Sequence, residues 1–182
     1  MEMTGEQLIP AAQAEVWRGL NDPEMLKSCI SGCESIERLS DTEYTVVTTA
    51  AIGPVKARFR GKLLLADLNP PNSYTLFFDG QDGAAGFGKG SAQVSLATEG
   101  SGTRLSYAVK AQVGGKLAQI GSRLIDGVAK KLADDFFSAF NQKLAPAAAA
   151  PAETAPETPA GASPLWWVIA IIAAMFLLTY VT

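Results

Sequence analysis

The chain of 182 residues has room for one domain of about 140 residues together with further segments. Its net charge of -3 at pH 7 gives no electrostatic support for wholesale nucleic-acid binding. The sequence contains no histidine, so the usual zinc and copper ligand, the usual general base near neutral pH and every Ser-His or Cys-His pair are missing. We therefore expect neither a metal nor a covalently bound cofactor.

The first thirty residues predict one strand and two short helices. Residues 1–9 are predicted as a strand, and residues 11–20 and 23–30 have helical patterns that the stop signal Asp22-Pro23 separates. No basic region followed by an apolar run stands at the N-terminus. We therefore expect no secretory signal and a cytoplasmic domain.

Two cysteines, Cys29 and Cys33, stand four residues apart, and no other ligand-rich cluster accompanies them. The simpler interpretation is a pair of small buried hydrophobic residues in a reducing compartment. A disulfide or a redox switch is the alternative.

The middle of the chain predicts antiparallel hairpins. Six strands separated by turn signals are predicted at residues 35–39, 43–52, 55–67, 73–79, 87–98 and 103–113. The third of these has the clearest two-residue alternation, because apolar or small residues at odd positions point to one side of the sheet. Its outward positions carry four cations, Lys56, Arg58, Arg60 and Lys62.

This basic stripe has two interpretations. It is either a solvated sheet face that neighbouring acids balance, or a surface for an anionic membrane or an acidic protein partner. Both interpretations place the four side chains outside the core.

Residues 114–144 predict one long helix, since apolar residues recur every three or four positions. A helix of this length spans about 45 Å, enough to cross a whole small domain, and its apolar face needs a surface to pack against. A broad, concave sheet built from the preceding strands is the natural surface to receive it.

Small residues line both sides of that interface. Either the sheet and the helix approach each other closely there, or a cavity remains for an apolar ligand. The expected lining of such a cavity is Phe59, Leu63, Phe77, Gly88, Gly90, Leu124, Val128 and Phe136.

The last forty residues differ in composition from the rest. Residues 145–164 are rich in Ala and Pro and predict an extended linker. Residues 165–182 are free of charge and just long enough, at about 27 Å, to span a bilayer core. Interfacial aromatic residues complete the pattern of a C-terminal, single-pass tail anchor. The expected anchoring residues are Leu165, Trp166, Trp167 and Tyr180.

The glycine-rich segment 86–90, GFGKG, superficially matches a phosphate-binding loop. Phosphate loops open a helix whose N-terminus holds the anion, whereas this segment opens a predicted strand. We therefore do not expect nucleotide binding.

The order of these elements resembles the α+β helix-grip fold of the START and Bet v 1-like (SRPBCC) superfamily, in which a curved antiparallel sheet wraps around a long C-terminal helix. The segments 10–23, 29–35 and 86–94 look like the CoxG family of carbon monoxide dehydrogenase subunits, with Ser31 where a proline is expected. The resemblance covers residues 1–144, and several members of that family also carry a linker and a hydrophobic C-terminal segment.

The resemblance implies an accessory protein that helps to place a carbon monoxide dehydrogenase, or a related molybdenum hydroxylase, at the cytoplasmic membrane. Two partners are then expected, the membrane and the dehydrogenase, together with a quinone that carries electrons between them. Lipid transfer is an alternative that uses the same cavity.

A cyclase-type enzyme is the competing class, because related folds include such activities. Its acid or base groups would come from Tyr44, Tyr74, Tyr107, Asp79 and Asp82. Nothing in their spacing pairs them. We therefore expect a protein that is not an enzyme.

Overall fold

The computed structural model describes residues 1–145 of the chain. This part contains seven strands, two short helices near the N-terminus and two helices at its C-terminal end. The elements in chain order are β1 (Glu2–Ile9), α1 (Gln13–Leu20), α2 (Pro23–Cys29), β2 (Cys33–Arg38), β3 (Glu43–Ile52), β4 (Val55–Asn69), β5 (Ser73–Asp82), β6 (Gly86–Glu99), β7 (Gly102–Gly114), α3 (Lys116–Gln119) and α4 (Ser122–Leu144).

The strands form one antiparallel sheet in the order β1-β7-β6-β5-β4-β3-β2. Each strand from β2 to β7 pairs with its neighbour in sequence, and β1 pairs along its whole length with β7. The predicted strands are confirmed, with ends that differ by a few residues. The fold class predicted for the domain, a curved antiparallel sheet with a long C-terminal helix, is confirmed as well.

The alternation in β4 sets the two faces of the sheet. Ala57 and Leu65 are buried on the inner face, while Lys56 and Arg60 are exposed on the outer face. This agreement follows from the two-residue period of a strand, which the sequence of β4 displays from Val55 to Leu63.

The predicted helix over residues 114–144 is wrong in its first part. A single turn of helix, α3, ends before Gly121, which has a φ angle of 98° and therefore cannot continue a right-handed helix. The long helix, α4, begins only at Ser122 and runs for 23 residues, or about 35 Å.

The apolar interior consists of two clusters. The main core joins α1, α2, the C-terminal half of α4 and the inner face of the sheet around Ile9, Leu105 and Phe140. The second core is smaller and consists of Ala57, Ala85 and Leu117 with the residues packed around them.

The thiols of both cysteines are free, and Cys29 is buried while Cys33 is half-buried. Burial raises the pKa of the Cys33 thiol, with the charge of Lys27 acting in the opposite direction. The prediction of small buried residues is confirmed for Cys29, which belongs to the main core.

The predicted membrane anchor, and the predicted linker beyond Ala145, lie outside the described residues. Across the described part of the chain, no helix combines the length and the apolar character that crossing a membrane requires.

Candidate functional site

The C-terminal half of α4 is tightly packed. Phe137 and Phe140 are buried, and the ring of Phe136 stacks on that of Phe140 with a centroid distance of 5.5 Å. On the other side, the ring of Phe137 stacks on that of Tyr107 at 5.5 Å. A β-carbon at Gly19 would lie 3.0 Å from Cζ of Phe140, so α1 meets the helix closely. This half of α4 is fixed in the main core.

The N-terminal half of α4 is loosely packed by comparison. No residue between positions 122 and 132 is buried, and the apolar side chains of Leu124 and Leu132 are 42% and 40% exposed. Val128, between them, is half-buried and belongs to neither core cluster. This half of α4 therefore contributes no buried side chain to either core.

The path of α4 across the sheet follows from the contacts that its two ends make. A β-carbon at Gly53, in the turn between β3 and β4, would lie 2.8 Å from Cδ2 of Leu124. The second core includes residues on both sides of that turn, whereas Phe140 lies in the main core. The helix therefore runs from the second core to the main core and crosses the strip of sheet between them.

Three glycines in register form the middle of that strip. Gly61, Gly80 and Gly88 are direct cross-strand neighbours on β4, β5 and β6. One inner position before Gly61, Phe59 packs on the second core, and one inner position after it, Leu63 packs on the main core. The glycine row thus marks the gap between the two cores.

The space above two of these glycines is open. A β-carbon at Gly88 would have no neighbour closer than 4.0 Å, and one at Gly80 none closer than 3.8 Å. The inner-face residues Phe78, Val109 and Ala111 nearby are only half-buried and belong to neither cluster. An apolar floor without a covering side chain is the arrangement expected of a ligand site.

Gly90 and Gly88 have different surroundings, although both were predicted to line the cavity. A β-carbon at Gly90 would collide with the carbonyl oxygen of Lys110 and would lie 2.8 Å from Cα of Ala111. The close-approach alternative therefore holds at Gly90, where β6 and β7 meet. At Gly80 and Gly88 a β-carbon would have room, and the cavity alternative stays a prediction there.

The prediction that Phe77 lines the cavity is wrong. Phe77 pairs with Leu64 and Ser91 on the outer face, and its side chain is 44% exposed. The inner positions of β5 are its neighbours Leu76 and Phe78. Three consecutive apolar residues hide the two-residue period, so the sequence could not assign the face of the middle one.

The other predicted cavity residues lie on the correct side of the sheet but not in one place. Gly88 lies at the strip between the cores, Phe59 and Leu63 flank it, Leu124 lies against the β3–β4 turn, and Val128 packs on neither core. Phe136 packs in the main core. The sequence missed Gly80, because the strand was expected to end at Asp79.

Two concavities of the surface bear on the site. The larger, about 790 Å³, is on the outer face around Leu64 and Phe77. The smaller, about 400 Å³, lies between β1 and α4 and is lined by residues 1–7, Tyr107, Asp126, Lys130 and Asp134. Of the two, the smaller adjoins the space between helix and sheet, so we call it the mouth.

Acidic neighbours balance half of the basic stripe. Arg58 donates to Glu34 at distances of 2.5–3.0 Å, and Nζ of Lys62 lies 3.5 Å from Glu43. The hydrogen bond from Arg58, followed by that from Thr49, lowers the pKa of Glu34 to about 2. Within residues 1–145, the other two cations, Lys56 and Arg60, form no ion pair.

The five candidate acid or base residues do not converge on one site. Tyr44 donates to the carbonyl of Asn21, and Tyr74 is buried edge-on against Trp17. Asp79 projects from the outer face, and Asp82 accepts hydrogen bonds from the amides of Ala85, Arg58 and Ala84, which lower its pKa. Tyr107 alone reaches the mouth.

A seven-stranded antiparallel sheet that holds a C-terminal helix across its inner face defines a helix-grip domain. A START superfamily protein from Mycobacterium smegmatis shares this fold at 11% identity, with a TM-score of 0.61 over 79% of this chain and 96% of that one. A protein from Thermus thermophilus shares it at 19% identity, with a TM-score of 0.59 over 79% of this chain and 97% of that one.

The model of the CoxG family of carbon monoxide dehydrogenase subunits matches residues 5–145, and the chain belongs to this family. A conserved protein from Geobacillus kaustophilus is 34% identical, with a TM-score of 0.75 over 80% of this chain and 95% of that one. No curated protein matches the sequence.

Proposed function

We propose that the protein carries a lipophilic ligand, such as a quinone, and holds a carbon monoxide dehydrogenase or related molybdenum hydroxylase at the cytoplasmic membrane. The open strip of sheet above Gly80 and Gly88, under the loosely packed half of α4, is the observation that supports ligand carriage. The family name supports the dehydrogenase as the partner.

The physical case for an apolar ligand is that protein interiors are close-packed. A strip of half-buried apolar side chains between two cores is an unfavourable surface when only water covers it, at about 25 cal/mol for each Å² of apolar area. A flat, apolar molecule inserted between α4 and the glycine row would cover that area without displacing either core. A quinone has this shape and carries two electrons.

A tether to the membrane would let such a carrier move between the dehydrogenase and the bilayer. A soluble dehydrogenase must pass its electrons to a membrane pool, and the segment 145–164 could reach roughly 60 Å if fully extended. A domain on that tether could reach both the enzyme and the bilayer. Lipid transfer remains the second candidate function, since the same apolar strip would accept an acyl chain.

The outer face supplies a docking surface for an acidic partner through Lys56 and Arg60, the two cations of the stripe that no described acid neutralises. We expect the double variant Lys56→Gln/Arg60→Gln to lower the amount of co-purified dehydrogenase severalfold at low salt, because association through exposed charges is salt-sensitive. The matched control, Lys116→Gln/Lys143→Gln, removes the same charge from the C-terminal helices. Equal loss in both variants, or in neither, would contradict docking at the stripe.

The anchor is tested separately by deletion of residues 165–182. We expect the shortened protein to move from the membrane fraction to the soluble fraction while the melting temperature of the domain stays unchanged. Retention in the membrane fraction would contradict a tail anchor.

A further inference from the structure

Three connections between elements meet at one end of the sheet. The β3–β4 turn, the β5–β6 turn and the segment from β7 to α4 lie at the same end because neighbouring strands are antiparallel. We call the surface formed by residues 51–55, 83–85 and 115–124 the tip. The second core joins all three segments from beneath, and the amide of Leu117 donates to the carbonyl oxygen of Ala85 at 3.1 Å. The tip is therefore one surface.

The second core separates the tip from the glycine row. Val113 is the register partner of Gly88, and its Cγ1 lies 4.0 Å from the position that a β-carbon at Gly88 would take. Cβ of Phe59 lies 3.9 Å from the corresponding position at Gly80. Both Phe59 and Val113 pack against the second core. The tip is therefore the outer surface of the wall that ends the strip.

The uncharged surface of the tip consists mainly of small or apolar residues. In the two turns the exposed residues are Ala51, Gly53, Pro54, Gly83 and Ala84. At the start of α4, Leu124 is 42% exposed. Neither of the two concavities described above includes a residue of the tip. Protein partners rely on large side chains that fill hollows, whereas small apolar residues without a hollow are suited to the interface of a bilayer.

The charged residues of the tip are all cations. Residues 51–55, 83–85 and 115–124 contain Lys116 and Arg123 and no acidic residue. Both cations are exposed, and neither takes part in an ion pair in the described part of the chain. The tip is therefore complementary in charge to anionic lipid head groups.

The charges that border the tip along the chain do not remove this excess. Lys56 follows the β3–β4 turn and offsets Asp82, whose carboxylate also accepts hydrogen bonds from the backbone amides of residues 58, 84 and 85. Asp126 lines the mouth and so belongs to the flank of α4 that faces β1. The positive charge of the tip rests on Lys116 and Arg123.

We infer that the tip is a docking surface for a bilayer that contains anionic lipids, in which Lys116 and Arg123 bind the head groups and the small apolar turns contact the interface. The inference rests on the proposed carriage of a lipophilic ligand. It adds the route of that ligand, which would pass between bilayer and glycine row at the tip end of the strip.

A tail anchor alone would not produce this orientation. The tip includes the N-terminal end of α4, whereas the chain continues towards the predicted anchor from the C-terminal end, about 35 Å away along the helix. The segment 145–164 could reach roughly 60 Å if fully extended, so the tether permits the tip to face the bilayer. Tethering without docking would instead bring the C-terminal end of α4 to the lipid more often.

The test compares these two ends in the full-length protein, reconstituted into phosphatidylcholine vesicles with about 30% phosphatidylglycerol. The photo-crosslinker p-benzoylphenylalanine is placed at Ala118 in the tip or at Ser138 near the C-terminal end of α4, and both positions are exposed. Mass spectrometry after irradiation quantifies the lipid adducts. We expect several times more adducts at Ala118 than at Ser138, and a loss of this difference in vesicles of phosphatidylcholine alone.

Charge variants test the role of the two cations. Lys116→Gln/Arg123→Gln should lower the lipid adducts at Ala118 by about fivefold or more, because one cation near an anionic surface changes the affinity by about that factor. Lys131→Gln/Lys143→Gln is the matched control, since it removes the same formal charge from exposed positions elsewhere on α4. The control should leave the adducts unchanged.

The other outcomes would overturn the inference. Equal adducts at the two positions, or an excess at Ser138, would contradict docking at the tip, while ligand carriage would stand if solvent extracts of the same samples contain a lipophilic molecule. Adducts of Ala118 with added dehydrogenase instead of lipid would make the tip a protein-docking surface. A protein that does not float with the vesicles would show that both the anchor and the docking are wrong.

Discussion

The two halves of α4 have opposite relations to the sheet. From Phe136 onward the helix buries aromatic rings in the main core, whereas between positions 122 and 132 it buries no residue completely. The sequence of α4 is apolar at helical spacing along its whole length, so the difference comes from what lies beneath each half. One half therefore contributes most to the stability of the core, and the other half contributes no completely buried side chain.

The largest expected loss of stability comes from a substitution in the packed half of α4. Phe140→Ala removes a completely buried ring and should lower the free energy of unfolding by about 3–5 kcal/mol. Leu132→Ala, in the loose half, removes a side chain that is 40% exposed and should cost about 1 kcal/mol or less. Urea unfolding of the two variants measures both losses in the free energy of unfolding. Equal losses would show that the two halves are packed alike.

Two glycines of β6 allow the same comparison between tight and loose packing to be made on the sheet. Gly90→Ala forces the new methyl group against the backbone of β7 and should cost about 1–3 kcal/mol. Gly88→Ala places a methyl group in open space and should stabilise the domain by about 0.4–1 kcal/mol, because it restricts the unfolded chain. Thermal melting of both variants provides the comparison, and destabilisation by Gly88→Ala would mean that the strip above it is closed.

The smallest expected effect is a change of stability with pH on the outer face of the sheet, away from both halves of α4. Arg58 lowers the pKa of Glu34 to about 2 from a usual value near 4.5, so its contribution to stability is fully present above pH 4.5 and is lost as the pH falls towards 2. Both groups are exposed, so solvent screens the effect. The stability difference between wild type and Glu34→Gln should shrink over this range in urea titrations. A difference that is constant with pH would contradict the ion pair.

The sequence predicted the strands well because their signal is local. In β4, alternation of small or apolar residues with cations assigns the two faces residue by residue, and the structure agrees. The prediction for β5 failed at Phe77 because apolar neighbours removed the alternation. Because this strand was predicted to end at Asp79, the prediction also left out Gly80, which the structure places in the glycine row.

The candidate site was less predictable because it depends on register. Gly88 and Gly90 are both inward-facing glycines of one strand, and only the approach of β7 distinguishes open space from backbone contact. Gly5 and Tyr107 are 102 positions apart, and no local pattern indicates that they pair. The break at Gly121 was missed because a glycine is compatible with a helical pattern until its backbone angle is known.

The central claim, that the loose half of α4 covers a ligand site, is tested most directly by mass spectrometry of solvent extracts from full-length wild type and Val128→Trp. We expect a lipophilic molecule in the wild type, its loss in Val128→Trp with little change in melting temperature, and full retention in the control Ser138→Trp, at an exposed position of the same helix. An empty wild type together with strong destabilisation by Val128→Trp would contradict the claim, because overpacking of a closed interior costs about 1–3 kcal/mol.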